Sequence, residues 1–223
     1  YASPGRSSRS RRLPRGSNSK MSIIIKEKED GSKKRRIIVD LRRSGANARA
    51  RVPERVVLPR LTDVIQMIIS MMTTLIAMGL VPAKGICEIA AAAANYGVEL
   101  FSADFSDAYF HFRIHPAEWR HTVSPDVTAN SKWLLQWIHM CFGLKAAPLI
   151  WCRLAAAVMR LLQGAISFTE GLMQCYLDDP IMVVPGSPEQ RRSTIGFPLL
   201  TLRMLGIDVA CRKALRGMSR TWI

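Results

Sequence analysis

Two adjacent carboxylates, Asp178 and Asp179, stand between the short apolar runs MQCYL and IMVV, and Pro185-Gly186 closes the second run. Apolar runs of that length bounded by turn residues read as two strands of a tight hairpin with the acids at its turn. Adjacent acids repel each other, so a fold that holds them away from bulk water needs a cation beside them. A solvated Asp-Asp turn is the plain alternative, because Asp favours turns. Asp104 ends another apolar run, VELFSA, and Asp107 follows it. If the two strand ends lie side by side, Asp104, Asp178 and Asp179 converge. Hard oxygen ligands of this kind suit Mg²⁺, with Mn²⁺ a possible substitute. Two such ions can stabilise both the attacking and the leaving oxygen of an in-line phosphoryl transfer.

The elements that must hold these acids read as an irregular mixture of strands and helices. Residues 22–25 and 36–41 are β-branched runs separated by EKEDGSKKR, with Asp30-Gly31 as the turn, which predicts a hairpin whose tip and second strand carry Lys33, Lys34, Arg35 and Arg36. Residues 61–94 read as helix with a break at 79–85, and residues 148–163 as a helix with Leu154, Val158, Leu161 and Leu162 on one face. A final amphipathic helix is expected near 189–206, leading into IDVAC. No regular βαβ rhythm is present, so the fold class is α+β. The apolar stretch 64–81 contains Gln66, Ser70, Thr73 and Thr74 and reads as a buried helix rather than a membrane span.

Charge divides the chain unevenly. The 223 residues carry a net charge of +15, and residues 1–60 hold 18 of the 32 Lys and Arg but 5 of the 17 acids. A protein this basic usually meets phosphate, although a basic surface kept for solubility is the plain alternative. Residues 1–20 are Ser, Arg, Gly and Pro with almost nothing to bury and read as a disordered basic tail. The five cysteines form no CxxC and no zinc spacing with His, and read as small buried apolar residues. An odd cysteine count without a secretory signal points to an intracellular, reducing compartment, nuclear or cytoplasmic. The start at Tyr1 rather than Met fits a fragment.

ELFSADFSDAYFHFRI, CFGLKAAPLIWCRL and QCYLDDPIMVV resemble motifs A, B and C of reverse transcriptases, the third being the YxDD box, and they occur in that family's order. KKRRIIVDLRRSGANARARVPERVVLPRLTDV resembles the preceding fingers segment, and LGIDVACRKALRGMSRTWI resembles motifs D and E, so the likeness covers residues 33–223. The polymerases of retroelements are the nearest in kind.

This resemblance implies a right-hand polymerase: fingers and connecting helices over 21–97, a palm over 98–223 with a small antiparallel sheet backed by helices, and no thumb before Ile223. It implies catalytic roles for Asp104, Asp178, Asp179 and Lys213, the last as proton donor to the leaving pyrophosphate. Metal ligation would fall to Asp104, Asp178, Asp179 and the backbone of Phe105. Nucleotide binding would fall to Lys33, Lys34, Arg36, Asp107, Ala108, Tyr109 as sugar gate, Phe142, Gly143 and Lys145. Read without the resemblance, Tyr109 is a core aromatic, the commoner fate of such a residue in an apolar run, and Arg36 is one solvated cation among many. The implied reaction is template-directed DNA synthesis from dNTPs with two Mg²⁺, on an RNA or DNA template with its primer and without a membrane. The alternative is an inactive retroelement remnant that only binds nucleic acid. The sequence departs from the pattern at Cys141, where proline is usual, at Pro180, where an aliphatic is usual, and over 65–94.

Overall fold

Short β-branched runs and longer amphipathic stretches alternate along the chain, and the computed structural model, which describes residues 7–10, 19–27, 31–42, 44–82, 93, 96–125 and 134–217, turns them into strands and helices in the same order. These are β1 (Ser7–Ser10), β2 (Lys20–Glu27), β3 (Lys33–Asp40), α1 (Ala46–Arg49), α2 (Leu61–Ala77) and β4 (Glu99–Ser102). Two 3-10 turns, Ala108–His111 and Pro116–His121, lead to β5 (Val123–Pro125), β6 (Leu134–Trp137) and α3 (Ala147–Gly164). Then come β7 (Leu172–Tyr176), β8 (Asp179–Val184), α4 (Pro188–Met204), the 3-10 turn Cys211–Lys213 and β9 (Leu215–Gly217). The fold is α+β with small antiparallel sheets, as the sequence suggests.

The chain forms two units that interleave in sequence, Tyr1–Val56 with Asp107–Trp151, and Val57–Ser106 with Cys152–Ile223. This division differs from the consecutive segments 1–20, 21–97 and 98–223 read from the sequence. The reason is strand pairing between residues far apart in the chain, which composition does not reveal.

In the first unit, β2 and β3 form the expected hairpin, with Ile23 opposite Ile37 and Ile24 opposite Arg36. Asp30 of the expected turn lies outside the described residues. Successive strand residues face opposite ways, so Lys34 and Arg36 share one face and Lys33 lies on the other. The hairpin is anchored at its far end. Val39 and Leu41 are fully buried and cluster with Trp137 and Cys141, packed on by Met21, Phe110 and Leu144. Residues 7–10, expected within a disordered tail, instead form β1 and pair with β6 in the sheet β1-β6-β5. Strand addition uses backbone N–H and C=O groups, which a Ser-rich segment has as fully as any other. The rest of 1–18 lies outside the described residues.

In the second unit, four antiparallel strands lie in the order β7-β8-β4-β9. β8 is a central strand, which explains why IMVV is continuously apolar rather than alternating. Its two faces separate by period 2. Ile181 and Val183 pack with Val64, Met71, Met72 and Leu75 of α2. Met182 and Val184 pack with Phe101, Ile166 and Ile195 on the other side. Each such burial contributes about 1.5–3 kcal/mol before ordering costs, so the turn between β7 and β8 projects from a firm base. Helix α2 ends at Gly79, whose φ of 73° reverses the chain. Among the described residues, no helix is long and apolar enough to cross a membrane. Helix α3 buries Trp151, Ala155, Val158, Met159 and Leu162, whereas Leu161, expected on that face, is exposed, because the stripe follows the 4-3-4 spacing of 151, 155, 158 and 162.

Candidate active site

The Asp pair sits where the sequence places it. Tyr176 pairs with Asp179, and Leu177 and Asp178 form the two-residue turn. Leu177 adopts a φ of 54°, in the left-handed region that disfavours side chains with a Cβ, and such a residue carries on the order of 1–3 kcal/mol of strain. The Cys175 thiol donates to the Leu177 carbonyl at 3.2 Å, tying the turn to its own strand.

Asp104 reaches this turn through the sheet. Ser102 lies opposite Ile181. Beyond it, the Ala103 N–H donates to the Pro180 carbonyl at 3.1 Å and the Phe105 N–H to the Asp178 carbonyl at 2.7 Å. Those two bonds carry the β4–β8 register onward and set Asp104 opposite Asp179, in the non-hydrogen-bonded position between them. Residues so opposed share a face of the sheet, with Cβ atoms about 4.5–5.5 Å apart. Pro180 is in a strand with neighbours on both sides rather than on the outward side of the hairpin. Opposite Ala103 it uses its carbonyl and forgoes the reciprocal N–H bond of that pair, a loss confined to the end of the β4–β8 ladder.

A second segment closes on Asp104 from the other side. The Ala210 N–H donates to the Asp104 carbonyl at 2.7 Å, the Ser106 N–H donates to the Asp208 carbonyl at 2.8 Å, and Phe105 bridges Val209. The 3-10 turn Cys211–Lys213 then brings the Lys213 ammonium onto the Asp104 carboxylate as an ion pair. The side chain of Phe105 is buried in this arrangement.

Burial and neighbouring charge oppose ionisation at the hairpin. Burial raises the pKa of Asp179, and the charge of Asp178 raises it further. Burial likewise raises the Cys175 thiol, with added contributions from Cys152, Asp178 and Asp179, and it raises Cys152, with a smaller contribution from Asp178. A half-buried carboxylate whose ionisation burial and a neighbouring charge both oppose is relieved by a hard cation. Among the described residues, however, no group of three or more His, Cys, Asp or Glu side chains is gathered as a metal site. The three acids are neighbours through the backbone, and the carboxylate of Asp104 is engaged by Lys213.

The first unit holds the remaining candidates in two places. Tyr109 meets Phe142 edge-on, with ring centroids 5.3 Å apart, and Phe110 meets the same ring at 6.2 Å. Ala108 is buried, and Asp107, exposed with a φ of 53°, opens the 3-10 turn. The 142–145 loop is fixed to β3 and α1. The Val39 N–H donates to the Phe142 carbonyl at 2.9 Å. Gly143 has a φ of 107°, and a Cβ there would run into the Val39 carbonyl. The Asn47 amide donates to the Gly143 carbonyl at 2.8 Å and accepts from the Lys145 N–H at 2.8 Å. Lys145 itself is exposed. Farther along β3, Lys33 and Arg36 are exposed and Lys34 half-buried. The clamp formed by Asn47 escaped sequence reasoning, since a single Asn in a polar stretch has no distinctive spacing. Only its helix-disfavouring type hinted that its side chain serves the backbone.

Compared with known proteins, the chain matches no family model and no curated protein.

Proposed function

We propose that the chain is a reverse transcriptase domain that adds deoxynucleotides to a primer under the direction of an RNA or DNA template. The observation that carries this reading is the pairing of Asp104 opposite Asp179, beside Asp178, at the end of a buried sheet. Asp104, Asp178 and Asp179, with the Phe105 backbone, would hold Mg²⁺ or Mn²⁺, which neutralises charge on the attacking and leaving oxygens of the transferred phosphoryl group. Lys213 is the proton donor. Its ion pair with Asp104 holds the ammonium beside the acids, where a leaving pyrophosphate needs a proton. Tyr109, braced on Phe142, sets the sugar preference by bulk. Lys34 and Arg36, on one face of β3, bind the triphosphate, with Lys33 on the opposite face adding charge. Asp107, Ala108, Gly143 and Lys145 complete the nucleotide-binding surface.

Charge supports a second reading, nucleic-acid binding without catalysis. The unit Tyr1–Val56 with Asp107–Trp151 holds 21 of the 32 Lys and Arg and 8 of the 17 acids. Primer extension in Mg²⁺ separates the two. The catalytic reading expects extension that a chelator stops and that Asp178→Asn lowers by at least 100-fold. Equal extension by Asp178→Asn refutes the role given to the acids, and retained primer binding with no extension by the unaltered chain refutes the catalytic reading and leaves the binding reading.

A further inference from the structure

A cluster of basic side chains lies outside the residues given roles above. Arg120 Nε donates to His121 Nε2 at 3.1 Å, and Arg49 Nη1 approaches the same nitrogen at 3.4 Å. A guanidinium has no acceptor, so this imidazole nitrogen accepts and the ring proton is on Nδ1. Two guanidinium groups therefore meet at one imidazole nitrogen. Like charges so close repel. Among the described residues, neither guanidinium has a carboxylate partner, in contrast to Arg42, whose Nε and Nη2 are bonded to Asp40 at 3.0 and 3.2 Å. Both Arg49 and Arg120 are exposed.

The cluster continues toward a third cation. Arg49 ends α1, the same short helix whose Asn47 grips the backbone of Lys145. Arg49, Arg120 and Lys145 thus belong to one rigidly bonded part of the more basic unit. Paired guanidinium groups with unused N–H donors match the oxygens of a phosphate, and each can bind it in bidentate fashion. The half-buried imidazole fixes their separation in advance, which lowers the ordering cost of binding.

We propose that Arg49, Arg120 and His121 form a phosphate-binding site for the backbone of a nucleic-acid strand. The two guanidinium groups present donors suited to phosphate oxygens, contacts that position a strand without reading its sequence. The site works without nucleotide or divalent metal, so it stands or falls separately from the catalytic reading. The test is fluorescence anisotropy of a labelled duplex oligonucleotide with the full chain, titrated over a range of NaCl concentrations in EDTA. Each phosphate contact contributes about 0.9 to the log–log salt slope on duplex DNA. The double substitution Arg49→Gln/Arg120→Gln should lower the slope by about 1–2, whereas Arg42→Gln, whose guanidinium is committed to Asp40, should leave it unchanged. His121→Gln, which loses the ring that spaces the arginines, should weaken binding at low salt by several-fold. Circular dichroism melting establishes that each variant is folded. A folded double variant with the slope of the unaltered chain overturns the proposal, as does an equal loss in Arg42→Gln. A second titration uses inorganic pyrophosphate in place of the duplex. Loss of pyrophosphate binding with an unchanged duplex slope would assign the cluster to a free phosphate and overturn the strand assignment.

Discussion

Replacing Gly143 by Ala tests the loop that presents Phe142 and Lys145. Two effects add. A φ of 107° lies beyond the ordinary left-handed region, and forcing an L-residue there costs at least about 1–2 kcal/mol. The added Cβ also runs into the Val39 carbonyl of β3, a backbone atom that a rotamer change does not move. Relief requires the loop to shift, which loosens the Val39–Phe142 bond at 2.9 Å and the two Asn47 bonds at 2.8 Å. Each is worth about 0.5–1.5 kcal/mol net, and losing two brings the total to about 2–5 kcal/mol. Native stability is only about 5–15 kcal/mol. Gly45→Ala separates the terms. Gly45 also has a positive φ, 73°, but a Cβ there meets nothing within 4 Å, so it should cost only about 1–2 kcal/mol. Urea unfolding followed by tryptophan fluorescence reads both, since Trp137 lies in the core beside this loop. At an m-value of about 2 kcal/mol/M the Gly143→Ala midpoint falls by about 1–2.5 M. A Gly143→Ala loss no larger than that of Gly45→Ala, at unchanged m, refutes the steric account.

Two further outcomes follow from the acids and the aromatic pair. Burial and Asp178 raise the Asp179 pKa in the folded chain, so its ionised form opposes folding, and the penalty is present at neutral pH and disappears below the unfolded value of about 4. Asp179→Asn should therefore stabilise the fold near pH 7, with a gain that shrinks on acidification toward pH 3; urea midpoints that show a pH-independent change contradict the burial argument. Tyr109→Ala removes the ring braced on Phe142 and should raise incorporation of ribonucleotides relative to deoxynucleotides by at least 10-fold with Mg²⁺ dependence retained, and an unchanged ratio in single-nucleotide extension rules out the gate.

The locally determined parts were legible in the sequence. The β7–β8 turn and the β2–β3 hairpin need only neighbouring residues, and turn chemistry with β-branched runs reports them directly. The acid at the end of VELFSA was also visible. Its exact partner was not, because the register between β4 and β8 is set by backbone bonds across about 80 residues of chain. The contact of Lys213 with Asp104 depends on a 3-10 turn that carries no strong periodic signal. β1 was missed because edge pairing draws on main-chain groups, to which composition is blind. Leu161 was misplaced by adding one apolar residue to a stripe that the helical period excludes.

The position of β4 has a consequence for the order of assembly. Its partners, β8 and β9, lie about 80 and 115 residues downstream, so the strand leading to Asp104 is made long before anything can pair with it. Closing such wide loops is slow, and until it happens VELFSA offers two open hydrogen-bonding edges on an apolar segment, a template for self-association. β2 and β3 meet the opposite condition, since their pairing closes a short loop. The folding of this chain is therefore expected to begin at the basic hairpin, and the acids come together only when β8 has been made and has paired with β4.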